Sequence, residues 1–336
     1  MTSPLRIAMI GAGRMAHVHV NHIRTVDPTA QIVAVFSRTE EHAQAAAAEW
    51  GAPTHYTDYT QLLERETPDA VYICTPTYTH AEIGLACAAR DLPMFVEKPL
   101  DLNLATAQAL VDAVEQRDLI HVVAFHWRYT PIYRKALELI GDDPVSLVNL
   151  RWYWTRPPIP WMWQRTMAGG QIVDQNIHLV DASRGLVGEI TSVYAAYNDH
   201  QVNFEREFDN WDGYAITFRY AGGAVGNCAG TYGLYPEIQI GPVADFAQRD
   251  RLVRLTPKAV TLYTPDGVQS WELREPFHLG VNRAFIHAVQ SGDGSALVTS
   301  MRSGMGSTAA TLAANRSAAT GEVVDMTSFL AEATRA

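Results

Sequence analysis

Five short apolar runs punctuate residues 1–126, at 5–10, 31–36, 69–74, 92–96 and 119–125. Each is a continuous, β-rich stretch rather than an alternating one, as expected of strands buried on both faces of a parallel sheet. Between them lie segments of helical period. The pattern predicts helices over 14–25, 39–50, 80–90 and 103–117, and a short one from an Asp58 cap through Leu63. Thr39 is placed to cap the second of these, and Gly51 stands just past its end. Regular alternation of strand and helix predicts a doubly wound parallel sheet for residues 1–126. Pro131 suits the first turn of a further helix. After Gly141 the period changes to two. Residues 145–154, 189–198, 211–220, 223–231, 251–256, 259–264 and 268–274 alternate as half-buried strands, and helical patterns return near 277–291 and 299–319. Residues 127–336 therefore read as an α+β domain with a large, mostly antiparallel open sheet, covered by helices on one face.

Composition narrows the class. The 336 residues are 47% hydrophobic and 18% charged, the balance of a globular chain with room for two cores. A formal net charge of -10 without a basic stripe speaks against nucleic acid and anionic membrane as partners. No stretch approaches the length of a membrane span, and residues 5–10 are too short for a secretory apolar region. Cys74, Cys87 and Cys228 are odd in number and far from CxxC spacing, so neither a disulfide framework nor a zinc site is expected; the reducing cytoplasm fits.

The first apolar run flows into Gly11-Ala12-Gly13-Arg14-Met15-Ala16, the G-x-G-x-x-A form of the dinucleotide fingerprint. Gly11 permits the tight turn, Gly13 lets backbone approach a pyrophosphate, and Ala16 allows close helix–strand packing. The order strand, glycines, helix separates this from an ordinary glycine turn. The end of the second strand should carry the residue that reads the ribose. It holds Ser37-Arg38-Thr39 and no acid. A hydroxyl followed by a guanidinium suits a 2′-phosphate, so NADP is expected, with NAD the alternative. The bland reading leaves Arg38 on the surface of the next helix. Thr75 and Pro76, after the strand ending at Cys74, are placed to line the cofactor, and His80 to line it or shape the turn.

Candidate chemistry follows the fourth run, which delivers Glu97-Lys98-Pro99 to a strand's carboxyl end. Pro99 keeps Lys98 extended, and an ammonium there can bind a substrate hydroxyl and ease its deprotonation. His126-Trp127-Arg128-Tyr129 ends the last run, also where ligands bind. Asp174 and His178 stand i and i+4, so on an α-helix they share a face, and a carboxylate beside an imidazole sets its tautomer and basicity. A merely solvated pair is the alternative. Trp152, Trp154, Trp161 and Trp163 cluster with Pro157, Pro158 and Pro160 between Arg156 and Arg165. Trp152 is expected to pack in the core or at an interface. Trp161 and Trp163, in a loop before the Asp–His pair, are expected to wall a sugar, with Arg156 meeting its polar groups.

These residues resemble the Gfo/Idh/MocA family of NAD(P)-dependent oxidoreductases. The likeness is carried by residues 11–16, by Cys74-Thr75-Pro76 with His80, by Glu97-Lys98-Pro99, and by Gly169-Gly170 leading to Asp174-Gln175-Asn176-Ile177-His178, in order over nearly the whole chain. The resemblance implies a Rossmann domain followed by an α/β domain whose open sheet forms a homodimer or homotetramer contact. It implies hydride transfer between a sugar or polyol carbon and the nicotinamide, with Lys98, Asp174 and His178 at the catalytic positions and Arg14, Met15, Glu97 and Lys98 itself near the cofactor. Many members have Asp-x-Gly-x-His; Asn176 replaces that glycine, tolerates a left-handed backbone better than most residues, and adds an amide that can reach substrate. The expected protein is a cytoplasmic, NADP-preferring sugar or polyol dehydrogenase or reductase without a metal. Its rivals are a glycoside-cleaving enzyme that recycles its cofactor and a non-catalytic NADP-binding sensor, the latter disfavoured by the joint presence of Lys98, Asp174 and His178.

Overall fold

Burial on both faces explains why the early apolar runs sit where they do. In the computed structural model, which describes residues 3–199, 202, 207–238 and 240–333, they form β1 (Arg6–Ile10), β2 (Gln31–Phe36), β4 (Ala70–Ile73), β5 (Met94–Val96) and β6 (His121–Val123), with a short β3 (Thr54–Tyr56). The strands are joined by α1 (Arg14–Val26), α2 (Glu40–Trp50), α3 (Tyr59–Arg65), α4 (His80–Ala88) and α5 (Leu104–Gln116). Thr39, Asp58 and Asn103 cap α2, α3 and α5 through their side-chain oxygens, which fixes where those helices begin. All six strands are parallel in the order β3-β2-β1-β4-β5-β6. The order reverses between β1 and β4, and the crevice at that switch point is where such sheets bind ligands.

The chain continues through α6 (Pro131–Ile140), capped by Thr130, then β7 (Leu147–Thr155), α7 (Arg165–Ala168), α8 (Ile177–Val187), β8 (Ile190–Asn198), β9 (Gly213–Tyr220), β10 (Val225–Leu234), β11 (Ile240–Ala247), β12 (Leu252–Leu255), β13 (Ala259–Thr264) and β14 (Gly267–Glu272). It ends with α9 (Leu279–Ser291), α10 (Met301–Thr320), β15 (Val324–Asp325) and α11 (Met326–Ala333). Nine strands form one sheet in the order β14-β13-β12-β11-β7-β10-β9-β8-β15, antiparallel throughout except for the β7–β10 pair. Burial alternates along it: in β9, Tyr214, Ile216, Phe218 and Tyr220 are buried while Ala215, Thr217 and Arg219 are exposed. α6 packs on β12 and β13, and α8 on β7 and β11. Leu147, Tyr194 and Val225 are exposed along the strands. Among the described residues, no helix is long and apolar enough to cross a membrane.

Two features depart from the sequence pattern. The strand β11, inside the second sheet, escapes it because Gly241 and Pro242 interrupt the alternation; the register shift between Ile240 and Val243 absorbs them. The contiguous second domain, 127–336, also needs correction. The two compact units are residues 1–126 with 278–305, and 127–277 with 306–336. The return is held by α9 against α1 and by Thr299, whose carbonyl and hydroxyl bond the backbone of Val123 at 2.9 and 2.7 Å.

Candidate active site

In the first unit, the candidate residues begin at the turn after β1. Gly11 has φ of +115°, and a Cβ there would sit 2.5 Å from the carbonyl oxygen of Cys74, so no other residue fits. Gly13 is the N-cap of α1, yet no side chain caps that helix and no acid lies in its first turn. A Cβ on Gly13 would meet nothing of the protein within 4 Å. Open backbone and uncapped N–H groups at a helix start match a pyrophosphate in both shape and charge, so these residues fit a dinucleotide. Ala16 is fully buried, as close packing requires, with Met15 half-buried and Arg14 exposed beside it. After β2, the Ser37 N–H donates to Tyr56 O at 3.1 Å. Arg38 is exposed, and among the described residues no carboxylate pairs with it; the capping of α2 belongs to Thr39.

The turns after β4 and β5 are tied to each other. His80 sets Nε2 2.8 Å from the Thr75 carbonyl and Nδ1 2.7 Å from the Pro99 carbonyl. Thr79 Oγ1 lies 2.8 Å from Thr75 Oγ1 and donates to the Pro76 carbonyl at 2.7 Å. His80 thus shapes the turn carrying Thr75 and Pro76, which corrects its place among cofactor-lining residues. The Cys74 thiol is buried, and burial pushes its pKa well above the usual range. Lys98, half-buried, leads into a cis bond to Pro99. Glu97 is likewise a framework group: Oε2 accepts the Lys98 N–H at 3.1 Å and Oε1 meets His19 Nε2 at 2.7 Å.

Histidines gather on this side of the first unit. The rings of His126 and His278 lie 4.1 Å apart, and His22 stacks towards His278 at 6.3 Å. Burial foremost, then the neighbouring His19, lowers the pKa of His278 to about 4 from an ordinary 6.5. Between those values the unfolded chain binds a proton that the folded chain refuses. The stabilisation is therefore complete above about pH 6.5 and is lost as pH falls towards 4. From pH 7 to 5 this amounts to about 2 kcal/mol. Thermal melts at the two pH values should show the loss, and His278→Gln should flatten it; equal slopes for variant and wild type would remove His278 as the cause.

In the second unit, the candidate residues are built on a helix that begins irregularly. Gly169 closes α7 in the left-handed region, and Gly170 follows at φ of +90°, where a Cβ would lie 2.7 Å from Trp211. The chain then makes a π turn over Ile172–Asn176 and runs straight into α8. Asp174 lies in the π turn and His178 in the first turn of α8, so the picture of one unbroken α-helix carrying both is corrected. Such wide turns recur at functional sites because they re-aim a side chain at the cost of a regular bond. Gln171 holds the start of the turn to the sheet, donating to Thr231 O at 3.0 Å and Trp152 O at 3.3 Å.

Three tyrosines on the buried side of β9 and β10 face this segment. Tyr232 donates to Asp174 Oδ2 at 3.1 Å, Tyr214 receives the Asn176 amide, and Tyr220 donates to Ser183 Oγ at 2.9 Å. Burial pushes all three hydroxyls above their ordinary range, and for Tyr232 the Asp174 carboxylate adds to it. They therefore stay protonated, and Tyr232 reaches Asp174 as a donor. Asp174 and His178 are each 6% exposed. Asn176 has φ of -68°, so its tolerance of a left-handed backbone is not used, and its buried amide is engaged by Tyr214.

The other expected lining residues lie in the second unit. Trp127 is 1% exposed and meets Phe277 edge-on at 5.1 Å, so it is core. Arg128 grips Asp181 through Nε at 2.8 Å and Nη2 at 3.0 Å, and Tyr129 is 5% exposed. In the tryptophan loop, Trp161 and Trp163 are half-buried. Trp163 donates Nε1–H to Pro157 O at 2.7 Å under the Arg156 guanidinium, 4.4 Å from its ring. Arg165 lies 4.4 Å over Trp211 and pairs with Asp199. Sequence reasoning missed Tyr214 and Tyr232, which strand alternation could have flagged, and His19 and Asn282, for which no local signal exists.

Known proteins resemble this chain in sequence and in fold. Residues 5–125 match the model of an oxidoreductase family with an NAD-binding Rossmann fold, and residues 138–240 match the GFO/IDH/MocA C-terminal domain. The myo-inositol 2-dehydrogenase of Thermotoga maritima is 28% identical over 226 residues, 66% of this chain and 67% of that one. The scyllo-inositol 2-dehydrogenase (NAD(+)) of Bacillus subtilis is 33% identical over 198 residues, and the match spans 57% of each chain, little more than half of that relative's length. A levoglucosan dehydrogenase in complex with NADH and levoglucosan has the same fold, with a TM-score of 0.85 at 21% identity over 96% of this chain and 99% of its own. On these two family matches, which together cover most of its length, the chain belongs to the Gfo/Idh/MocA oxidoreductase family.

Proposed function

We propose that this protein is an NADP-preferring dehydrogenase or reductase acting on a CH–OH group of a sugar, sugar derivative or polyol. The observation that carries this reading is the buried Asp174–His178 segment, its carboxylate held by the Tyr232 hydroxyl, in a chain whose other unit presents Lys98 at the end of β5. The inositol and levoglucosan named for the relatives supply the substrate class. Bound nicotinamide would supply the hydride acceptor. The uncapped start of α1 with Gly11 and Gly13 would hold its pyrophosphate, and Ser37 with Arg38 would receive a 2′-phosphate. His178 takes the hydroxyl proton of the alcohol, and Asp174, fixed by Tyr232, orients the imidazole and stabilises its charged form. Lys98 stabilises the developing alkoxide and is not itself the base while it carries its proton.

A cofactor-reduction screen tests this, with NADP and NAD each offered pyranoses, anhydrosugars and inositols. At least one compound should reduce NADP faster than NAD. Ser37→Asp with Arg38→Ala should then turn the preference towards NAD by about ten- to a hundredfold, the worth of one or two charged hydrogen bonds. A wild type that prefers NAD ends the assignment for that turn. Turnover of a glycoside without net reduction would favour the recycling chemistry instead. Self-association through the second sheet is part of the same reading, and a monomer by light scattering at micromolar concentration would exclude it.

A further inference from the structure

We infer that His19 and Asn282 are positioning residues for Lys98, acting through Glu97. The inference rests on the reading of Lys98 as the group at the reacting oxygen. Three side chains from three elements form one buried line: Asn282 on α9 and His19 on α1 are 0% exposed, and Glu97 at the end of β5 is 6% exposed. Asn282 Nδ2 donates to the His278 carbonyl at 2.8 Å, which identifies it as the nitrogen of that amide. The same nitrogen lies 3.0 Å from His19 Nδ1, closer than Asn282 Oδ1 at 3.2 Å. An N–H facing Nδ1 makes that ring atom the acceptor, so the ring proton belongs on Nε2. Nε2–H then donates to Glu97 Oε1 at 2.7 Å, and the other carboxylate oxygen accepts the Lys98 N–H at 3.1 Å.

The line explains why a carboxylate is buried beside the lysine. A buried carboxylate needs donors, and here one comes from α1 and one from the backbone it fixes. The ring of His19 is itself wedged edge-on against Phe95, 4.6 Å away, so it cannot turn to another partner without disturbing β5. Asn282 selects the tautomer, His19 fixes the carboxylate, and the carboxylate fixes the backbone from which the lysine side chain departs. Misplacing a reacting group by about 1 Å costs up to about a hundredfold in rate, so the line matters to turnover although none of its three members touches the reacting atoms.

The test has two arms. In the first, nitrogen-15 histidine labelling of the protein without cofactor, with His19→Gln to assign the signal, should show the proton of His19 on Nε2 and Nδ1 bare at neutral pH. A proton on Nδ1, or rapid exchange between the two nitrogens, overturns the inference whatever the enzyme's substrate. In the second, His19→Leu should lower kcat about ten- to a hundredfold while KM for the sugar and the affinity for NADPH change less than threefold. His19→Gln, whose amide places an N–H near the position of Nε2, should recover most of that loss. A folded His19→Leu with wild-type kcat, or a His19→Gln no better than His19→Leu, overturns the inference. If no substrate turns over, the first arm still decides the tautomer, so failure of the functional reading and failure of the line are told apart.

Discussion

Replacing His178 by alanine should lower turnover of the true substrate roughly 10²–10⁴-fold, the usual scale for losing a general base. Lys98→Met should cost as much or more, because stabilising the alkoxide and orienting the hydroxyl are lost together. The two losses differ in kind. Without His178 the proton lacks an acceptor, so added imidazole or higher pH should restore part of the rate. Without Lys98 neither remedy should help. Asp174→Asn should cost less than either, since the imidazole remains and only its orientation and charge stabilisation change. None of the three residues lies at the phosphate turn, so NADPH titration by fluorescence should give near wild-type affinity throughout. A His178→Ala enzyme with the wild-type rate and pH profile would withdraw the assignment.

The glycine turn makes the second large prediction, through two neighbouring glycines with opposite reasons for being there. Gly11→Ala meets both a backbone conformation that favours glycine, φ of +115°, and the Cys74 carbonyl 2.5 Å from the new Cβ. The strain costs about 1–3 kcal/mol, and the overlap, against backbone that cannot yield, about as much again. A loss of about 2–6 kcal/mol should lower Tm by roughly 4–24 °C. Gly13 has φ of -86°, and its Cβ would touch no protein atom within 4 Å. Gly13→Ala should therefore keep Tm and lose dinucleotide affinity, because the methyl group stands where the pyrophosphate approaches. Thermal melts without cofactor and NADPH titration separate the two. A Gly13→Ala protein that binds NADPH as the wild type does would show that this backbone is not the phosphate cradle.

What the chain itself settles is whatever depends on near neighbours. Continuous apolar runs made β1, β2, β4, β5 and β6 legible, because burial on both faces leaves no room for polar residues. Thr39, Asp58 and Pro131 marked helix starts, because an orphan N–H within two or three residues must find an oxygen and a proline can lack that N–H without loss. The glycine fingerprint, Glu97-Lys98-Pro99 and the Asp174/His178 spacing were legible because each lies within a few consecutive residues. Long-range pairing decided the rest. Nothing near His19 announces Asn282, which lies 263 residues away, and nothing near Asp174 announces Tyr232, 58 residues on. Arg128 looked available until Asp181 was placed against it, and α9 looked like part of the second domain until it packed on α1. The π turn was hidden as well, because Gln171 is held by Trp152 and Thr231 of other strands, while spacing by itself predicts a regular α-helix. Local sterics and burial act over a few residues and leave a pattern in the order of side chains; a buried hydrogen bond is satisfied by whichever partner the fold brings within about 3 Å, and no periodicity records that choice.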